Sequence, residues 1–386
     1  MVNAHSHAFQ IELRGAGERP SAPGDDERSR GPGGPGGRAA VRDDFWTWRT
    51  EMYRLASRHD PGSMRAIGER TYGVMSRSGY GAVGEFHYVH HRPDGRPYEN
   101  PNAIAIAIAE AARSQRLEIT LLPAAYNRAG PGLPPTQGQL RFCDPDVDTF
   151  LERVEQLRSW ASGRAGVRVG VAAHSVRAVP ASWIESIAAY AERHGLVRHV
   201  HAGEQRRELD QCLEEHGCTP IELLDRCGFL GPRTSVIHGI HVSDHEIGLI
   251  AASDTIVVAC PTTEGNLGDG YQPALRYRDA GVRYAIGSDS QVRIDPFEEL
   301  RELEAGARRE RQTRHAMLAA DPDLWRTTVE AGRASLGLTG PMPEIELDLD
   351  HPDLAGIAAA DLRYALATCA SAGVVKSSAA VVKQGR

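Results

Sequence analysis

Five short segments between residues 5 and 289 each set a histidine or carboxylate directly after an apolar run. They are HSH at His5 to His7, AHS at His174, HAGE at His201 to Glu204, HGIH at His238 to His241, and GSDS around Asp289. Side chains alternate along a strand, so His5 and His7 at an extended strand end project to one side. That spacing suits two imidazoles converging on one Zn2+ at about 2.0–2.1 Å. His201 adds a third nitrogen, and Glu204, three residues on, approaches the same centre as the chain turns. Of the pair His238 and His241, His238 follows the apolar run immediately and is the functional candidate. Asp289 ends YAIGSDS, where a buried carboxylate is costly unless it meets a metal or a cation. His5, His7, His201 and Asp289 thus read as the ligands of one zinc ion, with a position left for water, which is a catalytic and not a closed structural set. Such an ion lowers the pKa of its water and polarises an electrophile. Proton transfer then falls to Glu204, His238 and Asp289: one group accepts the water proton and another delivers it to a leaving nitrogen. No lysine occupies the fourth strand end, where His174 stands instead, so a mononuclear site is expected.

Other groups carry weaker signals. Arg177, three residues beyond His174 in AAHSVRAV, stands just past a strand end and can pair bidentately with a substrate carboxylate. Arg49 lies in DDFWTWRTEMYR, where Phe45, Trp46 and Trp48 read as packing residues. Tyr88 in GEFHYVHH follows the second strand candidate and can reach the site, whereas His87, His90 and His91 read as loop residues. The polar, glycine-rich CPTTEGNLGDG (Cys260 to Gly270) can shape a pocket, but residue types alone do not disclose its chemistry.

The elements that must position these residues are short apolar runs alternating with helical patterns. Strand candidates are Val2 to Ala4, Ala82 to Phe86, Ile119 to Pro123, Val167 to Ala172, Val197 to Val200, Ser235 to Ile237, Thr255 to Ala259 and Val282 to Ile286. Helical patterns cover 45–58, 145–163, 180–194 and 243–252, the last opened by Ser243 with Glu246 three residues on, a capping-box signature. Residues 101–113 alternate like a strand, but their length and alanines favour helix. Eight strand–helix repeats predict a (β/α)8 TIM-type barrel, whose active site lies at the carboxyl ends of the strands, where the reactive residues stand. A doubly wound open sheet would want a phosphate turn after an early strand; GPGGPGG follows no strand and opens no helix.

The domain reading is a hydrolase barrel over 1–340, interrupted by a mobile Gly/Pro-rich loop at 14–44. A remnant of a small β-sandwich domain follows at 341–386, with EIELDLD as strand, 353–374 as helix and VVKSSAAVVKQGR as a strand pair.

Composition excludes several classes. A net charge of −7 and an isoelectric point near 6.2 argue against a nucleic-acid or anionic-membrane partner, so an acidic substrate must be caught by local arginines. No apolar stretch is long enough to span a bilayer, and HSHAFQ stands where a signal peptide would need an apolar core. The six cysteines lack CxxC spacing, which fits a reduced cytoplasmic setting without a cysteine-bound zinc.

HSHAFQ, DDFWTWRTEMYR, VGEFHYVHH, AHSVRAV, HAGEQ, CPTTEGNLGDG and GSDSQVRIDPFEELR, in that order, resemble the formimidoylglutamate deiminases of the amidohydrolase superfamily. The resemblance covers residues 1–340 outside the 14–44 loop. It implies hydrolysis of N-formimino-L-glutamate to N-formyl-L-glutamate and ammonia in histidine degradation. It also implies zinc on His5, His7, His201 and Asp289, proton transfer by Glu204 and His238, and a substrate wall of Gln10, Arg49, Tyr88, His174 and Arg177. A homodimer is the family expectation. This sequence departs from the family in four places. A strand-rich segment precedes His-x-His in family members, whereas His5 here is the fifth residue. Either the natural start lies upstream, or the small β-domain lacks strands and leaves open edges. The 14–44 loop is longer and richer in Gly and Pro than the family's, Ala202 and Gly203 replace a bulkier residue and an alanine, and Gln291 stands where a histidine is expected.

The expectation is therefore a cytoplasmic, mononuclear-zinc C–N hydrolase acting on a small dicarboxylate that carries a formimino group. The alternatives are a deaminase of the same superfamily acting on another amidine, guanidine or aminated heterocycle, or an inactive truncated barrel.

Overall fold

The computed structural model describes residues 1–19, 45–340 and 344–377. Nine strands run parallel in one sheet: β1 (Val2–Ser6), β2 (Ala82–His87), β3 (Glu118–Ala125), β4 (Val167–Val169), β5 (Val171–Ser175), β6 (Arg198–Ala202), β7 (Thr234–His238), β8 (Ile256–Ala259) and β9 (Arg283–Ile286). β4 and β5 both pair with β3 and form one stave broken at Gly170, so the order β1-β2-β3-β5-β6-β7-β8-β9 is an eight-stave barrel. At Gly170 an added Cβ would lie 2.7 Å from the carbonyl oxygen of Val197 and 2.8 Å from Leu122 Cδ2, so only glycine lets the neighbouring stave approach there.

The barrel closes between β1 and the segment beyond β9. His7 N donates to Asp289 O at 3.0 Å, and Asp289 N donates to His5 O at 3.0 Å. Below that pair, Asn3 Nδ2 donates to Ser288 Oγ at 2.7 Å, and Ser288 N donates to Asn3 Oδ1 at 3.0 Å. The strands are buried on both faces, as parallel strands between a core and a helical layer must be, and they therefore read as near-continuous apolar runs. Ala4, Ile237, Ile256, Val258, Cys260 and Ala285 share an interior cluster. The barrel floor is plugged by the end of the helix Leu324–Ser335. His199 Nε2 donates to Ser335 O at 3.0 Å, and Thr120 Oγ1 donates to Leu336 O at 2.9 Å.

Helices form where the periodic patterns and caps place them. Phe45–Ala56, Val147–Ala161, Ala181–His194 and Asp244–Ala252 match the expected segments, and Ser243 and Glu246 form the reciprocal capping box. The ambiguous segment is the helix Ala103–Ser114, whose buried Ile104, Ala107, Ile108 and Ala111 form one face at helical spacing.

The tail differs from expectation. Glu346–Leu347 and Val375–Ser377 make a two-stranded antiparallel sheet. The stretch 353–374 is not one helix but a chain of short turns, with Leu362–Leu366 its longest helical piece. Gly356, in the left-handed region at φ 79°, breaks any continuous helix there. Leu354, Ala365, Ala370 and Val374 pack on Phe297 of the helix Pro296–Arg311, and tertiary burial thereby overrides local propensity. The expected loop at 14–44 lies outside the described residues from 20 to 44, and the second half of the expected strand pair lies outside them from 378. No helix among the described residues is long and apolar enough to cross a membrane.

Candidate active site

The site lies at the carboxyl ends of the strands. His5 is on β1, and His7 follows it as the residue before a tight 3-10 turn over Ala8–Leu13. His201 is on β6, His238 ends β7, and Asp289 stands three residues beyond β9. His238 (φ 70°) and Asp289 (φ 45°) both hold left-handed backbone, a conformation costing a non-glycine residue on the order of 1–3 kcal/mol. Gly203 takes φ 68° just after β6, a turn that suits glycine and brings Glu204 back towards the cluster.

Two backbone carbonyls settle the tautomers. His7 Nδ1 lies 2.9 Å from Phe86 O and His201 Nδ1 lies 2.8 Å from His174 O. A carbonyl only accepts, so both rings carry their hydrogen at Nδ1 and present Nε2 as a lone pair. Those lone pairs meet other acceptors: His201 Nε2 is 3.1 Å from His5 Nε2, and Asp289 Oδ1 is 3.3 Å from the Nε2 of both His5 and His7. The four donor atoms all lie within 4.8 Å of one another and are buried. Burial drives the His5 imidazole down to about 3 and lowers those of His7 and His201, which keeps all three in the neutral, ligating form. Burial works the other way on Asp289, but its hydrogen bond with His5 and the neighbouring imidazoles hold it well below the usual carboxylate range. Three neutral imidazoles and a carboxylate with their donor atoms turned towards one another form a donor set that fits a divalent metal.

Around this cluster stand the proton-transfer candidates. His238 Nε2 is 3.7 Å from Glu204 Oε1 and 3.9 Å from Asp289 Oδ2. Its Nδ1 meets Glu264 Oε1 at 3.2 Å, and that oxygen also accepts from Cys260 N at 2.9 Å. Against the desolvation of full burial, Glu204, Asp289 and Glu264 together hold the His238 imidazole up at about 10. Burial raises the Glu204 carboxyl, with His238 and Arg177 opposing.

Glu264 was not legible in CPTTEGNLGDG, because residue types in a polar loop carry no register. Here the segment turns into the helix Pro261–Leu267, which swings Glu264 back over the end of β8. Glu208 was missed as well: fully buried on the helix Arg206–His216, it accepts from Glu204 N at 3.3 Å and faces Arg177 Nε at 4.0 Å. A glutamate four residues beyond Glu204, on the same side of the chain, was the available signal.

One cavity is lined by His7, His201, Glu204, His238 and Asp289 below, and by Gln10, Arg49, Tyr88, His174 and Arg177 on its walls. Gln10 Nε2 donates to Tyr88 Oη at 2.9 Å, and the Tyr88 hydroxyl donates to Met52 Sδ at 3.3 Å. Arg49 stacks on Trp46 with its Cζ 4.4 Å from the ring centre, so the aromatic residues expected to pack also carry an arginine. Arg177 is fully buried, faces Glu204 Oε2 at 3.5 Å, and is fixed through its backbone by Arg128, whose Nε donates to Arg177 O at 3.1 Å. His241 lies outside the cavity and the donor set. His87, His90 and His91 also lie outside it; His90 and His91 join a buried network with Arg153 and Asp144 that anchors the loop behind Tyr88. Gln291 does not reach the donor set either: its Nε2 donates to Ser6 Oγ at 3.0 Å, and it braces the barrel closure.

Comparison with known proteins accords with this geometry. A model of the amidohydrolase family matches residues 1–330. The formimidoylglutamate deiminase of Pseudomonas aeruginosa is 36% identical over 336 residues, covering 86% of this chain and 70% of the relative. A 5-methylthioadenosine/S-adenosylhomocysteine deaminase of Haloarcula marismortui is 26% identical, covering 95% of this chain and 76% of that protein. The crystal structure of an amidohydrolase from Brucella melitensis superimposes with a TM-score of 0.84 at 32% identity, covering 98% of this chain and 84% of the other.

Proposed function

The chain belongs to the amidohydrolase family, and from that premise we propose that it hydrolyses N-formimino-L-glutamate to N-formyl-L-glutamate and ammonia. The observation that carries this proposal is the presence of Arg49 and Arg177 on the wall of the cavity whose floor is the histidine–aspartate cluster. A protein of net charge −7 can hold a dicarboxylate only through such local cations. A planar guanidinium suits a carboxylate through paired N–H donors. The 36% identity to the Pseudomonas aeruginosa deiminase supports the same substrate. Gln10, Tyr88 and His174 complete the polar wall around the reacting group.

One zinc ion is assigned to His5, His7, His201 and Asp289; when bound it supplies Lewis acidity, lowering the pKa of a water molecule and polarising the amidine carbon. Water adds its oxygen to that carbon while its proton passes to the Asp289 carboxylate, which the protonated His238 imidazole faces and steadies. Glu204, raised by burial towards its protonated form, delivers a proton to the imino nitrogen. The proton taken from water is then passed to that nitrogen as its bond to carbon breaks, and the nitrogen leaves with the electron pair as ammonia. The added hydroxyl gives its proton to the Glu204 carboxylate, which restores that group, and becomes the formyl carbonyl. Amidine and water are thereby converted to formyl amide and ammonia without any further reactant.

The discriminating assay offers purified, metal-loaded protein N-formimino-L-glutamate and 5-methylthioadenosine separately. Ammonia from the dicarboxylate and none from the nucleoside is the expected result. The reverse pattern overturns the substrate assignment and favours a deaminase of aminated heterocycles.

A further inference from the structure

Cys260 takes no part in the chemistry above, yet it lies beneath the proton-transfer residues. It continues the interior-facing alternation Ile256, Val258, Cys260 at the end of β8, and no part of it is exposed. Its thiol, a ring nitrogen of His238 and a carboxylate oxygen of Asp289 lie within 4.8 Å of one another. The two oxygens of Asp289 are divided between neighbours: Oδ1 faces His5 and His7, while Oδ2 faces His238 Nε2 across 3.9 Å, too long for a hydrogen bond. Glu264 binds His238 Nδ1 at 3.2 Å and Cys260 N at 2.9 Å with a single oxygen. A carboxylate on Nδ1 fixes the ring so that Nε2 is offered to an electrophile, the outer-shell arrangement that orients metal-ligating histidines.

We infer that His238, Cys260 and Asp289 form a second metal site, selective for thiophilic divalent ions such as Zn2+ or Cd2+, whose occupation inhibits the enzyme. Sulfur and imidazole ligands favour such ions over Mg2+ or Ca2+. Asp289 bridges the two sites through its separate oxygens, and the Cys260 thiol and the His238 imidazole each release a proton to solvent as their bonds to the ion form. With His238 Nε2 and Asp289 Oδ2 both committed to the ion, Asp289 can no longer accept the water proton and His238 can no longer steady it. Excess zinc therefore inhibits the enzyme that a first equivalent activates.

The test titrates protein already holding one equivalent of zinc with Cd2+ while recording thiolate-to-cadmium charge-transfer absorption. Wild type should take one further equivalent with that absorption. Cys260→Ser should keep the first zinc, show no absorption change at the second step and lose its inhibition by excess zinc. Cys260→Ala gives the same comparison should the serine variant not fold. The inference is overturned if wild type takes no second equivalent, or if the Cys260 variants retain the absorption, since the sulfur would then come from elsewhere. Metal uptake is read without any substrate, so a negative result here leaves the formimino assignment untouched, and failure of the ammonia assay leaves this site untouched.

Discussion

At the scale of single residues, hydrogen placement on two imidazoles defines the site. Phe86 O and His174 O each claim an Nδ1 hydrogen, and the freed Nε2 atoms of His7 and His201 then converge on His5 and Asp289. Arg177 is the residue whose removal separates binding from metal chemistry. It touches Glu204 but none of the four donors, so Arg177→Ala should leave the zinc content intact while kcat/KM for the dicarboxylate falls by about 10- to 100-fold. An equal fall for a neutral amidine, or a loss of zinc, would remove Arg177 from its clamping role. The convergence of the histidines and Asp289 was legible because each follows an apolar run, and strand ends of a barrel must meet. Glu264 and Glu208 were not, because each reaches the site across a helical turn whose register the sequence leaves open.

At the scale of elements, the site depends on β1 and the segment beyond β9 approaching closely enough to seat two of the proposed ligands on one and Asp289 on the other. Gly287 allows that approach: an added Cβ would lie 2.8 Å from both Cβ and O of His5 and 2.9 Å from its N. Gly287→Ala should therefore cost about 1–3 kcal/mol of stability and weaken zinc retention, read by thermal unfolding and by metal analysis after dialysis. Unchanged stability and zinc content would mean that the closure yields without disturbing the donors. The eight staves were readable as apolar runs. The break at Gly170 was not, because a glycine in a strand pattern does not announce whether it ends the strand or admits a neighbour. The tail was misjudged for a related reason: its alanines favour helix, but burial of Leu354 and Val374 against Phe297 dictates turns.

At the scale of the whole molecule, burial of charge couples stability to pH. Glu85 is buried beside the segment that carries His5 and His7, accepting from Ser6 Oγ at 2.7 Å and Ala8 N at 2.8 Å. Burial lifts its carboxyl from 4.5 to about 7. A carboxyl raised in the fold favours its protonated form there, so its contribution is full below about 4.5 and is lost as pH rises through about 7, at about 1.4 kcal/mol per pH unit. Glu85→Gln should gain stability relative to wild type across that window and hold a constant difference above it, measured by denaturant unfolding at several pH values; parallel curves would contradict this. One cavity brings the proposed zinc ligands together with the arginines proposed to hold a dicarboxylate. Ammonia release from N-formimino-L-glutamate and zinc content, measured on the same batch of protein, decide whether the two act together. Release that rises in proportion to zinc up to one equivalent, with one N-formyl-L-glutamate formed per ammonia, is the result predicted; zinc-loaded, folded protein that releases no ammonia would contradict it.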